Sequence, residues 1–160
     1  MAKHVLNSSD DDIDFVLIGI SCLDDQYSVA ALINDSLKLK LFLSDYIPFH
    51  LKEGRIFKFS LYRFLDEELG LEYFFIPNTS NFEQPQTNAA KSGLFAGLDV
   101  DESVRLIKEL PKTDYFLLLK GEDLHNYQFK IMEKLKQSPD LMNVQAIDIE
   151  DLPSRRNLIF

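Results

Sequence analysis

Glu109, Asp114 and Tyr115 stand close together ahead of a continuous apolar run, and they are the residues whose types could do acid-base chemistry. Two carboxylates near the end of a buried strand can separate in pKa once burial raises one of them, leaving an acid and a base side by side. The competing assignment is structural: the same carboxylates cap and turn the backbone around Pro111, and no His, Lys or Arg is tied to them by spacing.

Other chemistries lack their residues. The six glycines are scattered, and Gly93 to Gly97 has no Lys-Ser or Lys-Thr pair to complete a phosphate-binding loop. Ser21 and Ser92 lack the flanking pattern of a nucleophile elbow. His4, His50 and His125 are far apart, and none has a second His or Cys at metal-ligand spacing. His4 falls in a terminal segment, His50 follows Pro48 in an expected loop, and His125 falls in the first turn of a helix, where imidazoles face solvent. Cys22 is the single cysteine. Asp24 and Asp25 follow it, and their charge raises a thiol pKa, so a buried structural thiol is expected. Asp10, Asp11, Asp12 and Asp14 offer hard oxygens to a cation but lack the Gly and distal Glu of a calcium loop. No metal and no cofactor are expected.

The charge balance excludes further classes. With 26 acidic against 17 basic residues the formal net charge is -9, which repels phosphate backbones and anionic headgroups. Lys134 with Lys136 and Arg155 with Arg156 are the tight basic groupings, so no nucleic-acid partner is expected. No apolar run approaches the ~20 residues needed to cross a bilayer, and the start is not a signal peptide, so the reading is cytoplasmic with no membrane partner.

The elements that must position these residues are legible in part. The 160 residues, 46% of them hydrophobic, suit a single domain, with a flexible acidic N-terminus over 1–13 and a long polar loop over 77–98. The unbroken apolar run from Phe15 to Ile20 predicts a strand at the sheet centre. Asp24 or Asp25 then caps a helix that ends at Asn34 to Ser36. Leu37, Leu39, Leu41 and Leu43 alternate with polar residues as a half-exposed strand would. Ile56–Leu65 and Leu71–Ile76, joined through Gly70, predict a hairpin. Asp99 with Glu102 makes a capping-box pattern ahead of Val104, Ile107 and Leu110 at helical spacing, stopped by Pro111. The run within Asp114–Gly121 predicts a second buried strand, Glu122 or Asp123 opens a last helix along Leu124, Tyr127, Ile131 and Leu135, and Val144–Ile149 is a final strand. The order β-α-β-β-β-α-β-α-β indicates an α+β fold: one mixed or mostly antiparallel sheet of about five to six strands, with about three helices packed on one face.

Ile107, Glu109, Thr113, Asp114 and Tyr115 resemble the signature of the IPExxxVDY family, small proteins of Bacteroidota. Ile107, Glu109, Asp114 and Tyr115 agree with it; Lys108 stands where the signature has Pro, removing a rigid element before Glu109, and Thr113 where it has Val. The strand from Phe116, the opening strand with the tyrosine-bearing helix behind it, and the ending Asn157 to Phe160 are similar too, so the resemblance covers nearly the whole chain. It implies no activity, since the family has none assigned.

The resulting expectation is a cytoplasmic accessory or protein-interaction domain without catalytic machinery, acting as a homodimer or on another protein. The aromatic strand pair, the polar loop and the apolar tail Leu158, Ile159 and Phe160 are the candidate partner surfaces. The alternative is a small-ligand binder or an enzyme with an acidic site around Glu109, Asp114 and Tyr115.

Overall fold

The computed structural model describes residues 14–83 and 103–160. His4, Asp10 to Asp12, Asp99, Val100, Glu102 and most of the expected polar loop lie outside them. The architecture is α+β, a six-stranded sheet in which every pairing is antiparallel. In chain order the elements are β1 (Phe15–Ser21), α1 (Gln26–Leu37), β2 (Phe42–His50), β3 (Ile56–Asp66), β4 (Leu71–Pro77), β5 (Thr79–Ser80), β6 (Val104–Arg105), β7 (Tyr115–Lys120), α2 (Leu124–Lys136) and β8 (Asn143–Ile147). Across the sheet the order is β2-β3-β4-β7-β1-β8, and β5 pairs with β6 as a separate ribbon. The central pair is therefore β4 and β7, while β1 lies one strand in from the β8 edge.

Both faces are covered, which is why β1 and β7 are apolar at consecutive positions. One face carries both helices: Val29, Ala30 and Ile33 of α1 and Ile131 and Leu135 of α2 pack on Val16, Ile18, Tyr73, Phe75, Tyr115 and Leu117. Each such aliphatic side chain contributes roughly 1.5–3 kcal/mol by leaving water. Among the described residues the opposite face carries no α-helix. Largely irregular chain, ending in a single 3₁₀ turn at Arg155–Leu158, straps it instead, through Leu106, Ile107, Ile149, Leu152 and Leu158 laid over Leu17, Phe59, Phe74, Ile76, Phe116 and Leu118.

Local chemistry explains most boundaries. The Asp25 carboxylate accepts from the Ser28 amide at 2.9 Å and opens α1. That helix runs to Leu37 and stops where Lys38 turns left-handed at φ 57°. The strand expected from Leu37 to Leu43 is thereby displaced to Phe42–His50. Leu39 and Leu41 are buried on either side of exposed Lys40, so the alternation holds but outside a strand, where the Asn34 side chain pins the turn by donating to the Leu41 carbonyl and accepting from its amide. His50 consequently ends a strand. The β3–β4 hairpin forms as expected, with Gly70 at φ 62° and Asp66 Oδ1 accepting from the Glu68 and Leu69 amides.

Among the described residues two α-helices form where about three helices were expected. Residues 104–105 are a strand and 106–110 are a bend and a turn, because competing hydrogen bonds take the backbone groups a helix would use. The Asn78 side chain, fully buried, accepts from the Ile107 amide at 2.8 Å and donates to the carbonyls of Leu110 and Thr113 at 3.0 and 2.9 Å. Asn78 opens the stretch that composition marks as a polar loop, and it is the post to which the strap is tied.

Candidate functional site

The motif residues do not converge on one site. Ile107 is fully buried in the strapped core. Glu109 Oε1 accepts from the Ser154 hydroxyl at 2.7 Å, joining the strap to the C-terminal segment, and its Oε2 is buried without a partner among the described residues. Asp114 is turned the other way: its carboxylate accepts from the Cys22 amide at 3.0 Å, its own amide donates to the Ile20 carbonyl, and its carbonyl accepts from the Asn78 amide. The Tyr115 hydroxyl donates to the Asp24 carbonyl at 2.5 Å. Each polar motif side chain thus fastens one chain segment to another.

Asp114 and Tyr115 do share a shallow cleft of about 230 Å³ with Cys22, Asp24, Pro77 and Thr79, and Glu109 does not line it. Burial pushes the Tyr115 phenol up to about 12, helped by Cys22 and the Asp114 and Asp24 charges, so it is a hydrogen-bond donor at neutral pH and no base. Burial also raises the Cys22 thiol, with Asp24 and Asp114 adding to the effect, and its Sγ lies 3.4 Å from the Asp140 carbonyl. Neither group is poised for nucleophilic work. Among the described residues no group of three or more His, Cys, Asp and Glu side chains is placed to hold a metal ion. His125 is exposed in the first turn of α2.

Two surfaces stand out, the first built partly on the expected apolar tail and the second unforeseen. The first lies on the strapped face at the β2 side, where the covering chain stops. Register places Phe42 beside Arg63 and Arg63 beside Phe74. Phe160 packs edge-on against Phe74 with centroids 5.3 Å apart, and the Lys120 ammonium lies over both rings. Phe42 is 60% exposed, Ile159 48%, Leu65 46% and Phe160 41%, so a row of apolar groups faces outward around a paired Arg63–Glu72. Of the tail, Leu158 is fully buried and only the last two residues are presented.

The second lies on the helix face, where α1 leaves the ends of β2 and β3 uncovered. It is a cleft of about 400 Å³ walled by Tyr27, Tyr46, Phe82 and Tyr115, with Lys58, Ser60, Thr79 and Asn81 between them. The signal for it was in β3: period-two alternation puts Lys58 and Ser60 on the same face as Tyr62, polar residues at positions a fully covered strand would fill with apolar ones.

Comparison with known proteins gave no match: no family model, no curated protein and no solved structure. Fold and site together define an α+β domain on a fully antiparallel six-stranded sheet, helix-covered on one face and strapped on the other.

Proposed function

We propose that this chain is a non-catalytic, cytoplasmic accessory domain that works by binding protein, with a second copy as the simplest occupant. The observation that supports this reading is the uncovered corner of the strapped face, where Phe42, Leu65, Ile159 and Phe160 are exposed together around Arg63. Aromatic and Arg side chains are the groups that anchor interfaces, and contiguous exposed apolar area of this kind is avoided on surfaces without a partner. The pairing is through side chains rather than strand addition, because the free edge of β2 is guarded by an irregularity between Leu43 and Asp45 and by Pro48. No helix among the described residues is long and apolar enough to cross a membrane. The motif residues Ile107, Glu109, Asp114 and Tyr115 act in this reading as fasteners of the fold.

Light scattering coupled to size-exclusion chromatography tests it on the full chain and on a Phe42→Ser, Phe160→Ser double variant, which leaves Leu158 in place. A dimer that becomes monomeric in the variant is the expected result. A wild-type chain that is monomeric at about 100 μM, well above the Kd of a stable interface, and that retains no protein whose capture depends on Phe42 and Phe160, overturns it.

A further inference from the structure

The helix-face cleft has a charge opposite to that of the molecule around it. In a chain of net charge -9 its walls carry one ammonium, Lys58, and no carboxylate. Lys58 is only half-exposed and has no carboxylate partner among the described residues; its ammonium instead lies 5.9 Å from the Tyr46 ring centroid and 6.0 Å from that of Phe82. Those two rings stack at 6.4 Å, and Tyr27, 65% exposed, forms a further wall. Tyr62 lies edge-on beneath Tyr27 with ring centroids 6.5 Å apart; it is 4% exposed, and its hydroxyl is buried without a hydrogen-bond partner.

We propose that this cleft binds a small planar monoanion, an aromatic or conjugated carboxylate, with its ring on the Tyr46 and Phe82 faces and its carboxylate on Lys58. Aromatic faces supply a sequence-tolerant stacking platform, and a half-buried ammonium gains a charge-assisted contact that bulk water does not replace. The volume suits a ligand of one or two fused rings. A single ammonium matches a single negative charge. A phosphomonoester would bring a second charge toward Asp24 and Asp25, which stand close enough to act on Tyr115 and Tyr62.

The test is an amide NMR titration of the full chain with 2-naphthoate, 2-naphthamide and adenosine monophosphate. Saturable shifts at Tyr27, Ser60 and Phe82 are expected with naphthoate, about tenfold weaker binding with the neutral amide, and about tenfold weaker naphthoate binding in Lys58→Gln but not in Lys134→Gln, which removes the same charge from α2. The wild-type comparison of acid with amide stands even if the Lys58 variant misfolds. Absent or scattered shifts, equal affinity for acid and amide, or tighter binding of the nucleotide overturns the proposal. Lys58 lies on the face opposite Phe42 and Phe160, so this outcome and that of the association experiment are independent.

Discussion

The two faces of the sheet are held by different physics. Under α1 and α2 the contact is apolar side chain against apolar side chain, and the only polar groups buried there in quantity are tyrosines. On the opposite face the covering chain has no repeating hydrogen-bond ladder, so particular side chains must supply one: Asn78 for Ile107, Leu110 and Thr113, and Glu109 for Ser154. A helix satisfies its own backbone and can be exchanged for another of similar shape, whereas a strap depends on each residue that ties it.

The largest effect is therefore expected from a polar residue on the strapped side. Asn78→Leu keeps the volume but leaves the Ile107 amide and the Thr113 carbonyl without their partner and takes one of two donors from the Leu110 carbonyl, and a loss of about 3 kcal/mol is expected in urea unfolding. Ile33→Val, which trims a fully buried side chain on the helix side, should cost about 1 kcal/mol. Equal costs would erase the distinction between the faces. Gly19→Ala comes next. A Cβ there would stand 2.9 Å from Ile147 Cδ1 of β8 and 3.1 Å from Thr113 Cγ2. A loss of about 1–3 kcal/mol is expected, relieved when Ile147→Val is added.

The same contrast decides what could be read from the sequence. α1, α2, the β3–β4 hairpin and the continuous runs of β1 and β7 were legible because period and capping are local signals. The strap was not. Val104, Ile107 and Leu110 have helical spacing, but Ile107 and its neighbour Leu106 are both buried by a non-helical path that only Asn78, about thirty residues earlier in sequence, makes possible. The displacement of β2 has a similar origin in Asn34 and Leu41. Of the candidate residues, Asp114 and Tyr115 were rightly placed at a sheet end, yet their partners Cys22 and Asp24 come from the far end of the chain, so spacing alone could not show that one is a cap and the other a clamp. Phe42 and Phe160 come to the same face only through the β2–β3–β4 register, which sets Arg63 and Phe74 between them.

Alkaline pH sharpens the comparison from the helix side. Burial pushes the hydroxyls of Tyr62, Tyr73 and Tyr115 up to about 12, and all three belong to the helix-covered core. In the unfolded chain they ionise near 10, so above that pH the unfolded state holds fewer protons and stability falls until the folded pKa is passed. Stability should be level to about pH 9 and decline between about pH 10 and 12, and Tyr73→Phe should flatten that decline. A decline unaltered by the substitution would place the alkaline sensitivity elsewhere.

The smallest effects concern Glu109, where the structural and acid-base roles diverge. Ser154→Ala removes the hydroxyl that Glu109 Oε1 accepts and should cost about 1 kcal/mol, loosening the C-terminal segment first, as hydrogen exchange at Asn157 and Leu158 would report. Glu109→Gln keeps the shape and the bond to Ser154 while exchanging a charged oxygen buried without a partner for a neutral amide. Because an unpaired charge is the costlier group to bury, that variant should be as stable as the wild type or more stable by up to about 1 kcal/mol. A fastener tolerates the exchange, since Oε1 is all it uses. A catalytic carboxylate would not, because its proton chemistry is what the amide abolishes; a Glu109→Gln chain that folds and associates as the wild type does therefore leaves Glu109 on the structural side of the comparison.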